Sequence, residues 1–126
     1  MPPNKAIIDD GFNPELVKGA RFDGVFEIPC IEKPKEVIIP RGFTPFTKRH
    51  KAPTEHEALS FFEFDTKFAE CLIAPELFVG TALSFDVFVP TDNSLYRDQP
   101  LATQIGNIYR SRAIGFYYQK HGANVY

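Results

Sequence analysis

Tryptophan is absent from this chain, and methionine occurs only at the first position. Cysteine is scarce: Cys30 and Cys71 lie far apart, without the close spacing of a metal knuckle. A disulfide scaffold is excluded, and both thiols are expected to be reduced, as in the cytosol. No apolar run approaches the roughly 18 residues of a membrane span. The opening MPPNKAIIDD lacks the apolar stretch of a signal peptide. These absences give the expectation of a soluble, cytoplasmic protein with no membrane partner. Excess positive charge is missing too, with 14 Lys and Arg against 16 Asp and Glu and a net charge of −2. A general nucleic-acid surface is disfavoured, while a local basic patch stays open. There is no phosphate-binding glycine loop and no HExxH pair.

What the chain does have is apolar mass. Of its 126 residues 44% are hydrophobic, and 13 are phenylalanine. That suits one domain over residues 1–126 with a normal core. Asn13 is placed to cap a short helix, Pro14 to Lys18. Brief strands are expected at Val25 to Ile28 and Val37 to Ile39, and a loop from Arg41 to Thr54. Leu59 to Phe64 and Ala82 to Val89 read as the two strong strands. Between them Thr66 to Leu72 reads as a helix, followed by a turn that Gly80 breaks.

The last third reads as one long helix. Asp98 is placed to cap it, Pro100 to sit in its first turn and Gly122 to stop it. Leu101 to His121 spans about 30 Å at 1.5 Å per residue. Leu101, Ile105, Ile108 and Phe116 form an apolar stripe, into which Arg112 falls and which Ala102, Tyr109, Ala113 and Tyr117 widen. A guanidinium there either snorkels to water or pairs with an acid such as Asp65, Asp86 or Asp92. Beside it, Gln104, Asn107 and Arg110 form a polar stripe, suited to hydrogen bonding with something fixed and equally to a plain solvated face. Ala123 to Tyr126 reads as a final strand whose unpaired edge invites self-association.

Strand, helix, strand, helix, strand in that order implies an α/β fold with a small parallel or mixed sheet. A long C-terminal crossover helix completes it, as an open sheet or a half-barrel. Ligands of such sheets sit at the carboxyl ends of the strands. Asp65 and Asp92 fall there, with Ser94, Tyr96 and Arg97 close by in sequence and Arg112 as support. Two carboxylates can act as acid and base or hold a divalent metal. They can equally be a helix cap and a turn residue. No other cofactor is called for. Ser94 has no evident base, and His50, Glu55 and His56 lack a ligand spacing, so whether this is an enzyme stays open. Arg41, Lys48, Arg49 and Lys51, interleaved with Phe43 and Phe46, suit phosphate contacts and base stacking. They suit a solvated turn as well.

One pattern is more specific. Asp92, Ser94, Leu95, Tyr96, Arg97, Asp98 and Pro100 are followed by Asn107, Tyr109, Arg110, Arg112 and Gly115. With Ile39-Pro40-Arg41-Gly42-Phe43 and Phe61-Phe62-Glu63-Phe64-Asp65 upstream, this run resembles a phage- and mobile-element-borne family, domain of unknown function 4417. The resemblance covers the chain from about Phe12. Asn93 stands where the family pattern has an aromatic, and the family's later Pro, Arg, Trp motif does not follow Tyr126. The chain thus corresponds to the N-terminal half of a longer family domain or to a short relative. The resemblance implies a bacterial host and an accessory protein that binds a partner, for instance to modulate a host system. The alternatives are a barrel-like enzyme acting on nucleotides or nucleic acid through Asp65 and Asp92, and a nucleic-acid-binding module built on the Arg41 to Lys51 loop.

Overall fold

The computed structural model describes residues 10–50, 56–62, 67–91, 95 and 97–126. Asn13 caps the first turn: its side chain accepts from the Glu15 N–H at 3.0 Å, and Pro14–Val17 forms a short 3-10 helix. β1 (Phe22–Asp23) and β2 (Ile28–Pro29) then pair antiparallel. The expected strand at Val25 is a turn, entered at Gly24 with φ +77° and left at Glu27 with φ +53°.

The main sheet is parallel, with β3 (Gly42–Pro45), β4 (Glu57–Ser60) and β5 (Val87–Phe88) in sequence order. Val125 extends it by one parallel bridge to Phe88. Between β4 and β5 come α1 (Ala69–Ile73), a 3-10 helix (Pro75–Phe78) and α2 (Val79–Ser84). α3 (Leu101–Lys120) crosses from β5 to Val125. The fold is therefore α/β with a small parallel sheet and a long C-terminal helix. Among the described residues the sheet does not close into a barrel.

Several boundaries differ from the sequence reading. Gly42–Pro45 is a strand where a loop was expected, because an edge position tolerates both breakers. Residues 82–84 are helical, and Gly80 does not break the turn. The Ser84 hydroxyl bonds the Thr81 carbonyl at 2.7 Å while Ala82 packs inward, which leaves only Val87–Phe88 for the strand. Asp98 does not cap α3. Pro100 holds the cap position, without a side-chain hydrogen bond. Gly122 does adopt the left-handed stop, at φ +110°.

Residues 37–39 pair with no strand. They belong to a strap laid across the end of the sheet. Gln119 bonds both backbone groups of Glu32, each at 2.9 Å. Lys35 Nζ donates to the Gly122 carbonyl, and Asn124 bonds the N–H and the carbonyl of Glu36. The Tyr126 hydroxyl accepts from the Ile38 N–H and lies 2.8 Å from the Ile38 carbonyl. The terminal sheet edge is thus covered rather than bare.

The core is aromatic. Phe61 is fully buried and meets Phe46, Phe68 and Phe88 at ring-centre distances of 5.3, 5.5 and 5.6 Å. Phe88 in turn meets Tyr118 at 4.9 Å. α3 presents Ala113, Ile114, Gly115 and Tyr118 to this core, and of these only Ala113 belongs to the stripe read from spacing. Leu101 and Ile108 are exposed, and so is Arg112. Apolar residues occur all round this helix, so spacing alone did not fix the buried face. The small residues Ala113 and Gly115 did, by allowing close approach.

The buried Tyr118 hydroxyl donates to the Pro75 carbonyl at 2.8 Å and lies 3.3 Å from Cys71 Sγ. Burial pushes the Cys71 thiol from an ordinary 9.0 up to about 12, and raises the Tyr118 phenol as well. Both groups hold their protons more tightly in the folded chain than in the unfolded one. Their contribution is complete below about pH 9 and is lost as pH rises towards 12. Urea midpoints should accordingly fall between about pH 8 and about pH 10.5. The fall should be shallower in Cys71→Ala, and equal slopes in the two proteins would refute the assignment to this thiol.

Candidate functional site

The strands of the parallel sheet all emerge at one rim. β4 leads through Phe61 to Phe62, β5 leads through Val89 and Pro90 to Thr91, and Tyr126 follows Val125. These ends surround a cavity of about 220 Å³. α3 closes one side with Ser111 and Arg112, and Ile31 closes another. The close approach depends on Gly115, where a Cβ would overlap Ile31 Cδ1 and come within 3.0 Å of Pro90 Cγ. A parallel sheet is expected to offer a ligand this rim.

Three features mark the cavity chemically. Arg112 is exposed, and among the described residues its guanidinium has no ion pair. Thr91 is 1% exposed, and its hydroxyl has no hydrogen-bond partner, which is costly for a buried polar group. No carboxylate is found among the described residues that line the cavity. Two aromatic rings flank it: Phe62, 61% exposed, and Tyr126, 42% exposed.

Of the residues read from sequence, Asp65, Asp92, Ser94, Tyr96 and Lys51 lie outside the described residues. Arg112 is at the cavity. Arg97 is exposed in the turn before α3. Asp86 is elsewhere, accepting from the His56 N–H at 2.7 Å, and makes no ion pair with Arg112. In the basic stretch, Arg49 is absorbed by the structure. Its guanidinium lies 4.0 Å over the Phe46 ring, donates to the Phe46 carbonyl at 2.9 Å and approaches Glu70 at 3.8 Å. Phe46 is buried, while Phe43, Arg41 and Lys48 are exposed. Arg41 and Lys48 remain open to solvent partners, but Arg49 does not join them.

The polar stripe on α3 does bond to something fixed. Arg110 Nη2 pairs with the Asp10 carboxylate at 2.6 Å, Nε donates to the Asp10 carbonyl at 2.9 Å, and Nη1 donates to Asn107 at 3.1 Å. Gln104 donates to the Gln99 carbonyl. A second cavity, about 190 Å³, lies at the other end of the sheet beside Lys35, Glu36 and Asp86, two carboxylates to one ammonium. No group of three or more His, Cys, Asp or Glu among the described residues is arranged to hold a metal. No helix among them is long and apolar enough to cross a membrane.

Sequence reasoning missed Thr91, Phe62 and Tyr126 as site residues. Position was the available signal, since each lies within three residues of a strand's carboxyl end. The acids and the arginines drew attention because their side chains carry chemistry.

The sequence profile of a family described as domain of unknown function (DUF4417) matches residues 20–126. The chain is similar to "Gene 1 protein" of Mycobacterium phage D29, 35% identical over 77 residues, which are 61% of this chain and 28% of that protein. It is similar also to "Gene 1 protein" of Mycobacterium phage L5, 35% identical over 68 residues, 54% of this chain and 30% of that protein. The matched segments thus span under a third of either phage protein. No solved structure matches the chain.

Proposed function

Because the chain belongs to the family described as domain of unknown function DUF4417 and has mycobacteriophage relatives, we propose that it is a phage accessory protein that acts by binding a protein partner. One observation carries this reading. The strap across the end of the sheet is fastened from Glu32 to Ile38, yet it turns Val37 and Ile39 outward, 85% and 86% exposed. Ile38 between them faces inward. An apolar pair held out on a fixed segment is disfavoured unless something covers it. A fixed segment also forfeits little entropy when a partner docks. Phe43 and Phe62 add a second exposed apolar pair, ring centres 6.1 Å apart, near the edge strand β3.

A photo-crosslinking side chain at position 37 tests the reading, with the same group at exposed Lys120 as control. In cells expressing the chain, position 37 should give one discrete adduct with a different protein. Val37→Asp combined with Ile39→Asp should weaken the complex at least about tenfold while leaving the thermal midpoint within a few degrees. No adduct above the control overturns the proposal, and an adduct of two copies replaces the heterologous partner by self-association.

A further inference from the structure

We propose that the cavity at the carboxyl ends of β4 and β5 binds a phosphate-bearing ligand of mononucleotide size, with Arg112 holding the phosphate. The site is distinct from the apolar strap and does not depend on the protein-partner reading. Four observations converge on it. The first is electrostatic. Arg21 is paired with Glu32, Arg49 with Glu70 and Arg110 with Asp10. Among the described residues Arg112 has no such partner, and it lines the cavity. The planar fork of a guanidinium suits two phosphate oxygens at once.

The second is the lining itself, which among the described residues includes no carboxylate. The third is hydrogen-bonding capacity. Ser111 lies beside Arg112, and the Thr91 hydroxyl is buried without a partner, although buried hydroxyls are ordinarily satisfied. The fourth is shape. Phe62 and Tyr126 put aromatic faces at the border of the space, and a nucleobase stacks on such faces. About 220 Å³ is small for a dinucleotide cofactor and suits one phosphate with part of one nucleoside.

The same chemistry has two sources: a free nucleoside monophosphate and the 5′-phosphorylated end of a nucleic-acid strand. Isothermal titration with adenosine and uridine 5′-monophosphates, the matching nucleosides, inorganic phosphate and a short 5′-phosphorylated oligonucleotide separates them. At least one phosphorylated probe should bind, and its affinity should fall with salt. The nucleosides should bind at least about tenfold more weakly. Arg112→Gln should weaken binding about tenfold, and Arg112→Lys should restore part of it. Preference for the monophosphate assigns a free nucleotide, and preference for the oligonucleotide assigns a strand end. Arg112 is exposed, so these variants are expected to fold as the parent does, which circular dichroism checks. The strap variant Val37→Asp with Ile39→Asp should keep its nucleotide affinity, so the two proposals fail separately. Absence of binding by every phosphorylated probe at millimolar concentration, or equal binding by Arg112→Gln, overturns the proposal.

Discussion

Phe61→Ala is expected to destabilise the chain by roughly 3–5 kcal/mol. For a domain of this size that lowers the thermal midpoint by roughly 12–20 °C. The reason is the position of the ring. Phe61 is fully buried and touches three other phenylalanines, so its removal strips contacts from both the β4 and β5 sides of the core at once. Neighbouring rings are too rigid to collapse into the space, and the cavity term adds to the lost transfer energy. Phe61→Leu keeps most of the volume and should cost about 1–2 kcal/mol. A thermal melt of both variants decides the matter. A Phe61→Ala midpoint within a few degrees of the parent would mean that this cluster is not the centre of the core.

The second large effect is expected at Arg110. Arg110→Ala should cost roughly 2 kcal/mol, most of it from hydrogen bonds to a charged group that is only 16% exposed. Asp10 is 40% exposed, so its own loss of a partner is cushioned by water. The larger consequence is local. The Arg110 guanidinium sits 5.4 Å over Phe12, which stacks on Tyr109 at 5.8 Å. Between Asp10 and Phe12 lies Gly11 at φ +89°, where a Cβ would also come within 3.3 Å of Arg110 Cγ and Leu72 Cδ2. Arg110 is therefore the main polar tie between this segment and α3, beside the Phe12–Tyr109 stack and the Lys120 bond to the Lys18 carbonyl, and limited proteolysis should nick Arg110→Ala near residues 10–20 well before the parent. Equal cleavage rates would show that the segment is held by something else.

The sequence made some of this legible. The parallel order, the long helix, the Asn13 cap and the Gly122 stop all follow from local chemistry, and the structure has each. The polar stripe at Gln104, Asn107 and Arg110 left bonding and a solvated face equally open in the sequence, and the structure bonds Gln104 and Arg110. The rim of the sheet follows from element order alone, and the structure has a cavity there.

Other features were not legible, each for a physical reason. Residues 82–84 carry strand-like side chains, but the run of turns opened by Pro75 continues through them into a helix. Gly42–Pro45 carries two breakers, yet pairs along one edge only. The buried face of α3 was misjudged because Gly115 carries no hydrophobic signal, although closeness to Ile31 and Pro90 requires it. Tyr126 escaped notice because its hydroxyl holds a strap about ninety positions away in sequence, while it also lines the cavity.

Those long separations also say something about how the fold is reached. Asp10 waits for Arg110, Lys18 for Lys120, Glu32 for Gln119 and Glu36 for Asn124. On the ribosome, the first third of the chain is made long before its fasteners are, and until residues 110–126 emerge it has nothing to close upon. Leu16 and Val17, buried in the finished fold, meanwhile stay open to solvent or to a chaperone. Loops of this length close slowly, so maturation is set by contact order rather than by helix formation. A translational pause before α3 would prolong the most aggregation-prone interval.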